Sequence, residues 1–350
     1  MDSIALIDKN FAVKPDFDTS GLTIYEVTKA PFSIYGLILP QNNADKFRRM
    51  PIEDAERVSD NVHFLSSRTA GGRLKFKTNS KRIAIFAKMG VISRLSCFAL
   101  TGSAGFDLYV NNEFQGIFLP PNDMVDGYNS LLKLEDDSEK EITIHFPLYS
   151  EVISLMIGLD MDATVSKSGD YAITNPVVYY GSSITQGGCA SRPGNSYEAM
   201  IARRFGINYI NLGFAGSALG EKEMAEYISK LDMSAFVLDY DYNAPNIEHL
   251  NNTHLPFYQV VREKNPTLPI VIISRPCTRL NEENRKRMEI IATTYRFAKA
   301  NGDENVYFIN GYEMMSRCGH DATIDGTHPN DLGFDCMANT IGEFLNTILK

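Results

Sequence analysis

Apolar and polar positions change their spacing once along this chain. Up to about residue 170 the apolar runs are short and alternating or β-rich: 82–89, 95–100, 106–110, 113–119, 141–146 and 152–159. Asn111-Asn112, between two of these runs, has the composition of a two-residue hairpin, while Pro120-Pro121-Asn122-Asp123 and Glu135-Asp136-Asp137-Ser138 read as loops. Many short strands without a helical period predict a β-sandwich of jelly-roll type over residues 1–170. The interval 160–175 is polar and aperiodic, and the domain boundary is placed there. Beyond it, strands at 177–180, 209–212, 236–238, 270–273 and 306–309 alternate with helical stretches around 196–205, 220–230, 249–264, 280–300 and 331–349. That alternation predicts an α/β domain over residues 171–350, a five-stranded parallel sheet with helices on both faces.

Length and charge narrow the function. A chain of 350 residues has room for two cores, each large enough to stand alone. With 34 basic against 43 acidic residues, a formal charge of −9, and no long Lys/Arg cluster, nucleic-acid binding is disfavoured. The five cysteines, Cys97, Cys189, Cys277, Cys318 and Cys336, are odd in number and scattered, so they read as reduced thiols. The first residues have neither a basic start nor a long apolar stretch, and no later segment is apolar enough to span a bilayer. The expectation is a soluble, cytoplasmic protein that does not engage membranes, or a secreted one if a leader has been removed.

Candidate chemistry sits at two strand ends. Val177-Val178-Tyr179-Tyr180 stops at Gly181-Ser182-Ser183, which presents a serine at the carboxyl edge of a buried strand, where open α/β sheets bind ligands. Asp325-Gly326-Thr327-His328 follows the last strand. Taken singly, each is an ordinary turn or cap. Together they supply a nucleophile, a base and a carboxylate to orient it. An α/β-hydrolase elbow is disfavoured, because Thr185 stands where Gly-x-Ser-x-Gly requires glycine. His249 and His254 are five apart, not four, and no His-Glu-x-x-His occurs, so no catalytic metal is expected. His63, His145 and His320 are isolated; Cys189, close to Ser183 in sequence, is expected to line the same crevice but lacks a base of its own.

Residues 176–350 resemble the SGNH, or GDSL-like, hydrolase superfamily. Gly181-Ser182-Ser183-Ile184-Thr185 matches its first block, with Ser183 as nucleophile and Ser182 where aspartate is usual. Asn211-Leu212-Gly213-Phe214-Ala215-Gly216 matches the second, Asp241-Tyr242-Asn243-Ala244 keeps the asparagine of the third, and Asp325 with His328 matches the fourth. The resemblance implies a flavodoxin-like three-layer α/β/α fold and a Ser183-His328-Asp325 triad. It also implies oxyanion donors at Ser183 N–H, Gly216 N–H and the Asn243 amide, with Asn246 as rival. Upstream, Gly105-Phe106-Asp107-Leu108-Tyr109 resembles the Gly-x-Asp-Leu-Tyr signature of the β-sandwich domain preceding one branch of these esterases. Asp107 and Tyr109 are expected to brace the domain interface.

The function so implied is a serine esterase removing small acyl groups, acetyl above all, from a small-molecule or oligosaccharide ester, with no cofactor. Arg192, in the polar stretch 187–195, is the candidate substrate contact. Two alternatives stay open: an acyltransferase using the same triad, and a glycan-binding protein whose triad is vestigial.

Overall fold

The computed structural model describes residues 3–9, 12–13, 16–42 and 45–350. In its C-terminal half the strands Ile207–Gly213, Ile173–Gly181, Ala235–Asp239, Ile270–Ile273 and Val306–Ile309 lie side by side in that order, all parallel. By chain position the order is 2-1-3-4-5, the flavodoxin-like arrangement, and its topological switch point lies beside Ile173–Gly181. Side chains on that strand divide by turns between the two faces. Val177 and Tyr179 enter one apolar cluster, and Val178 and Tyr180 enter the other. Burial on both faces explains why this strand reads as a continuous apolar run rather than an alternating one.

The helices between these strands start where the chain can satisfy their free N–H groups. Asn246, Asn281, Asn310 and Asn330 each cap the helix that follows, so Ile247–Lys264, Glu282–Ala300, Gly311–Ser316 and Asp331–Ile348 all open on an asparagine side chain. Helix Tyr197–Phe205 ends at Gly206, whose left-handed backbone closes the last turn.

The N-terminal domain is built from two antiparallel sheets. One has the order Leu22–Glu26, Val152–Asp160, Arg82–Met89, Gly127–Lys133. The other runs Val165–Ser166, Arg73–Thr78, Lys140–His145, Phe106–Val110, Glu113–Phe118, with Ser33–Tyr35 paired to Arg73–Thr78. Leu74, Phe76, Ile85, Phe106, Ile144 and Ile157 belong to the one apolar core these sheets share. The expected hairpin is present: Asn111 and Asn112 both take positive φ, 50° and 68°, which the primed turns of tight hairpins require.

Two expectations about this half fail. Residues 95–100 are not a strand. Leu95 and Phe98 form an isolated bridge, and Leu100–Ser103 is a helical turn. The β-like alternation there reflects Phe98 packing edge-on against Tyr149, 5.1 Å between ring centres, rather than sheet pairing. Helices Ile52–Val58 and Asp60–Ser66 were not expected either. Seven residues each are too few for a 3.6-residue period to show. Their Ala55 and Val62, with Met50, join the apolar cluster under Val178, Leu212 and Met224, so this part of the N-terminal half packs into the core of the parallel sheet. No helix among the described residues is long and apolar enough to cross a membrane.

Candidate active site

Ser183 follows the carboxyl end of Ile173–Gly181 in a tight turn. Gln186 N–H donates to Ser182 O (3.0 Å), and Gly188 N–H donates to Ser183 O (2.8 Å). Ser182, at the position where aspartate is usual in the resembling family, is buried, and its Oγ accepts the Ile184 N–H at 3.1 Å, capping the turn as an aspartate could. Tyr149, from the N-terminal domain, donates its hydroxyl to Ser183 O at 3.0 Å. The turn is therefore held from both domains, and Ser183 stays partly exposed.

His328 meets that hydroxyl. Its Nε2 lies 2.9 Å from Ser183 Oγ, and its Nδ1 lies 2.7 Å from Asp325 Oδ2. A carboxylate only accepts, so Nδ1 carries the proton and Nε2 is left as the acceptor for Ser183. Asp325 Oδ1 accepts two backbone N–H groups, from Thr327 (2.9 Å) and His328 (2.8 Å), which fixes the three-residue turn. Partial burial pushes the Asp325 carboxyl up, but the His328 ring and these two N–H groups outweigh it and hold the carboxyl below its usual range. Asp325 is consequently ionised wherever the imidazole works as a base.

The loop after Ile207–Gly213 leaves one donor free. Four of the five N–H groups from Phe214 to Ala218 are paired inside the chain: Phe214 to Gly181 O, Ala215 to Gln186 Oε1, and Ser217 and Ala218 to Phe214 O. Gly216 N–H, in a residue with φ +67°, has no acceptor among the described residues, and neither does Ser183 N–H. A Cβ at Gly216 would meet nothing within 4 Å, so this loop faces open space. Asn243, in the one-turn helix after Ala235–Asp239, donates from Nδ2 to Phe214 O at 2.8 Å and keeps its second amide hydrogen. Its rival Asn246 caps the next helix, its side-chain oxygen accepting the His249 N–H at 2.8 Å.

The second block is pressed against the nucleophile turn. A Cβ on Gly213 would lie 2.2 Å from Gln186 N, so only glycine allows the two backbones to touch. Beneath them, fully buried Arg49 donates to Gly213 O (2.5 Å), Arg68 O (2.8 Å) and Leu65 O (2.8 Å), tying the N-terminal half to the end of strand Ile207–Gly213. Gln186, Tyr149 and Arg49 escaped sequence reasoning. Gln186 alone carried a signal, its place directly after the first block.

Arg192 is tied to the N-terminal domain. Its guanidinium reaches Asp107 Oδ2 (3.1 Å) and the Tyr109 hydroxyl, and covers the Phe114 ring at 3.9 Å. Asp107, wholly buried, also holds His145 Nδ1 (2.8 Å) and the Gly194 N–H (2.8 Å). The Asp-x-Tyr pair thus clamps the loop after the nucleophile onto the N-terminal domain. Cys189 is buried, its sulfur 3.8 Å from that of Cys97.

The reading of all five cysteines as reduced is also corrected. Cys318 and Cys336 form a disulfide, Cα atoms 6.8 Å apart, that closes the segment bearing Asp325 and His328. Their spacing of 18 residues carried no sign of this, because one lies just past a short helix and the other on the second turn of the last.

Comparison with known proteins gives the family of both halves of the chain. Residues 174–346 match the GDSL-like lipase/acylhydrolase family, and residues 22–165 match the Gly-x-Asp-Leu-Tyr domain found at the N-terminus of SGNH-hydrolase-type esterases. A solved structure from Bacteroides ovatus, named for its likeness to GDSL lipases, is 31% identical, with a TM-score of 0.81 over 94% of this chain and 98% of its own. The chain belongs to the GDSL-like lipase/acylhydrolase family. Its fold is shared by a salicylyl acyltransferase from a tetracycline biosynthetic pathway (20% identity, TM-score 0.75, covering 92% of this chain and 96% of that one). It is shared too by an acetyl xylan esterase from Butyrivibrio proteoclasticus (14% identity, TM-score 0.59, covering 94% and 99%). No curated protein matches the chain.

Proposed function

We propose that this GDSL-like acylhydrolase is a serine esterase that removes small acyl groups, acetyl first among them, from carbohydrate oxygens. The observation that carries the reading is the connected line Asp325–His328–Ser183, 2.7 and 2.9 Å, together with a Gly216 N–H that has no acceptor among the described residues. In this mechanism His328 Nε2 takes the proton of Ser183 Oγ as the oxygen bonds to the acyl carbon, while Asp325 stabilises the imidazolium. Ser183 N–H, Gly216 N–H and the free Asn243 amide hydrogen receive the charge that develops on the carbonyl oxygen. Each such donor is worth about 3–4 kcal/mol of transition-state stabilisation in comparable sites. The imidazolium then protonates the departing sugar oxygen, and water, activated by the same base, frees the acid from Ser183.

The carbohydrate part draws support from the fold shared with the acetyl xylan esterase and with a family two carbohydrate esterase of Cellvibrio japonicus. Acyl transfer to an alcohol is the second reading, favoured by the higher TM-score of the acyltransferase, 0.75. Incubation with acetylated xylo-oligosaccharides, read by mass, tests the first reading: stepwise loss of acetyl supports it, and unchanged substrate overturns it. Acyl appearing on an added sugar acceptor, in place of free acid, selects the second.

A further inference from the structure

We propose that Gln186 is the positioning residue of the oxyanion hole. Its side chain sets the direction of the Gly216 N–H without itself touching substrate. The inference rests on the reading of Gly216 as an oxyanion donor.

Gln186 is completely buried, three residues beyond Ser183. Its backbone is fixed in the nucleophile turn through its own N–H, which donates to Ser182 O at 3.0 Å. Its side chain leaves the turn in two directions. Oε1 accepts the Ala215 N–H at 3.0 Å, and Nε2 donates to Leu148 O of the N-terminal domain at 3.3 Å. An amide is the group that does both, because one partner is a donor and the other an acceptor.

Ala215 immediately precedes Gly216, and the peptide joining them contains both Ala215 C=O and Gly216 N–H. A planar trans peptide points these two groups in opposite directions, so whatever orients one orients the other. Ala215 O accepts the Ser217 hydroxyl at 3.3 Å. The peptide is therefore gripped on its N-terminal side by Gln186 and at its carbonyl by Ser217, and its N–H is aimed outward. Since Gln186 belongs to the turn that carries Ser183, nucleophile and oxyanion donor are held in register by a single side chain. Gly213, in contact with the Gln186 backbone, keeps the two loops at that spacing.

A donor already aimed costs no reorganisation as charge develops, whereas one displaced by about 1 Å forfeits up to about 10²-fold in rate. Gln186→Met removes both hydrogen bonds at similar volume. It should lower kcat for 4-nitrophenyl acetate by about 10- to 100-fold with KM within about three-fold, since the loss falls on the transition state. Affinity for a boronic acid that forms a tetrahedral adduct on Ser183 should fall in parallel. Gln186→Glu buries a carboxyl that takes up a proton and then repeats both contacts, so it should recover most of the lost kcat. Should Gln186→Met not fold, Ser217→Ala loosens the same peptide from its other side and should give a smaller loss confined to kcat. The proposal is overturned if Gln186→Met, or Ser217→Ala in its place, keeps wild-type kcat and boronate affinity. It is overturned equally if Gln186→Glu does no better than Gln186→Met. Ser183→Ala in the same assay separates the two levels. Full turnover in Ser183→Ala removes the esterase reading itself, while an inactive Ser183→Ala beside unaffected Gln186 and Ser217 variants removes only the positioning role.

Discussion

Glu198 should make this protein less stable as the solution becomes alkaline. It lies in the first turn of helix Tyr197–Phe205, completely buried beneath the nucleophile turn. Its Oε1 accepts the Asn211 amide at 3.2 Å, and Oε2 has no partner. Burial is the main cause that pushes its carboxyl from 4.5 up to about 8, with hydrogen bonds and the charge of Arg49 pulling it back only in part. The folded chain thus keeps a proton there at neutral pH that the unfolded chain has released. A group raised in this way stabilises fully below about pH 4.5 and loses its contribution as pH climbs toward about 8. At about 1.36 kcal/mol per pH unit, the interval between those values amounts to about 5 kcal/mol. Glu198→Gln keeps the acceptor for Asn211 and cannot ionise, so its unfolding free energy should fall by several kcal/mol less than wild type between pH 5 and pH 8.5. Urea unfolding at intervals across that range is the assay. Asp239, also buried and raised mainly by burial, acts with the same sign, so adding Asp239→Asn should flatten the profile further. Equal slopes in wild type and Glu198→Gln would refute the reasoning.

Other variants separate roles that sequence reasoning left joined. Asn243→Ala should lower kcat by about 10²–10³ with KM little changed, whereas Asn246→Ala should cost only about 1 kcal/mol of stability, measured by thermal unfolding, as a lost helix cap. Replacing Cys318 and Cys336 by serine should cost about 3 kcal/mol, the closure entropy of an 18-residue loop, and chemical denaturation reads it directly. Arg192→Ala should reduce thermal stability while leaving KM unchanged. A large rise in KM would place Arg192 at the substrate site.

The parallel sheet was legible because its strands are buried on both faces: Val177-Val178-Tyr179-Tyr180 and Ile270-Val271-Ile272-Ile273 are unbroken apolar runs, and an asparagine caps each of four following helices. Ser183, Asp325 and His328 were legible as candidates because they sit in short local turns. Long-range contacts left no local trace. Nothing around Tyr149 announces that its hydroxyl reaches Ser183 O, and nothing around Arg49 shows that it ends beneath Gly213. The partners of Arg192 were hidden for a related reason. A cation in a polar loop near a nucleophile looks the same whether it faces substrate or a buried aspartate 85 positions upstream. The cysteines misled because pairing depends on where helix ends meet, and spacing alone does not report it.

The central claim is that Ser183 and His328 act as one unit. It is tested most directly by steady-state hydrolysis of 4-nitrophenyl acetate with Ser183→Ala, His328→Ala and the double variant, each shown to be folded. Both single substitutions should reduce kcat by several orders of magnitude, and the double should lose little more than either, because a base without its nucleophile has nothing left to contribute. Turnover near wild type in Ser183→Ala, or losses that multiply in the double variant, would contradict the account.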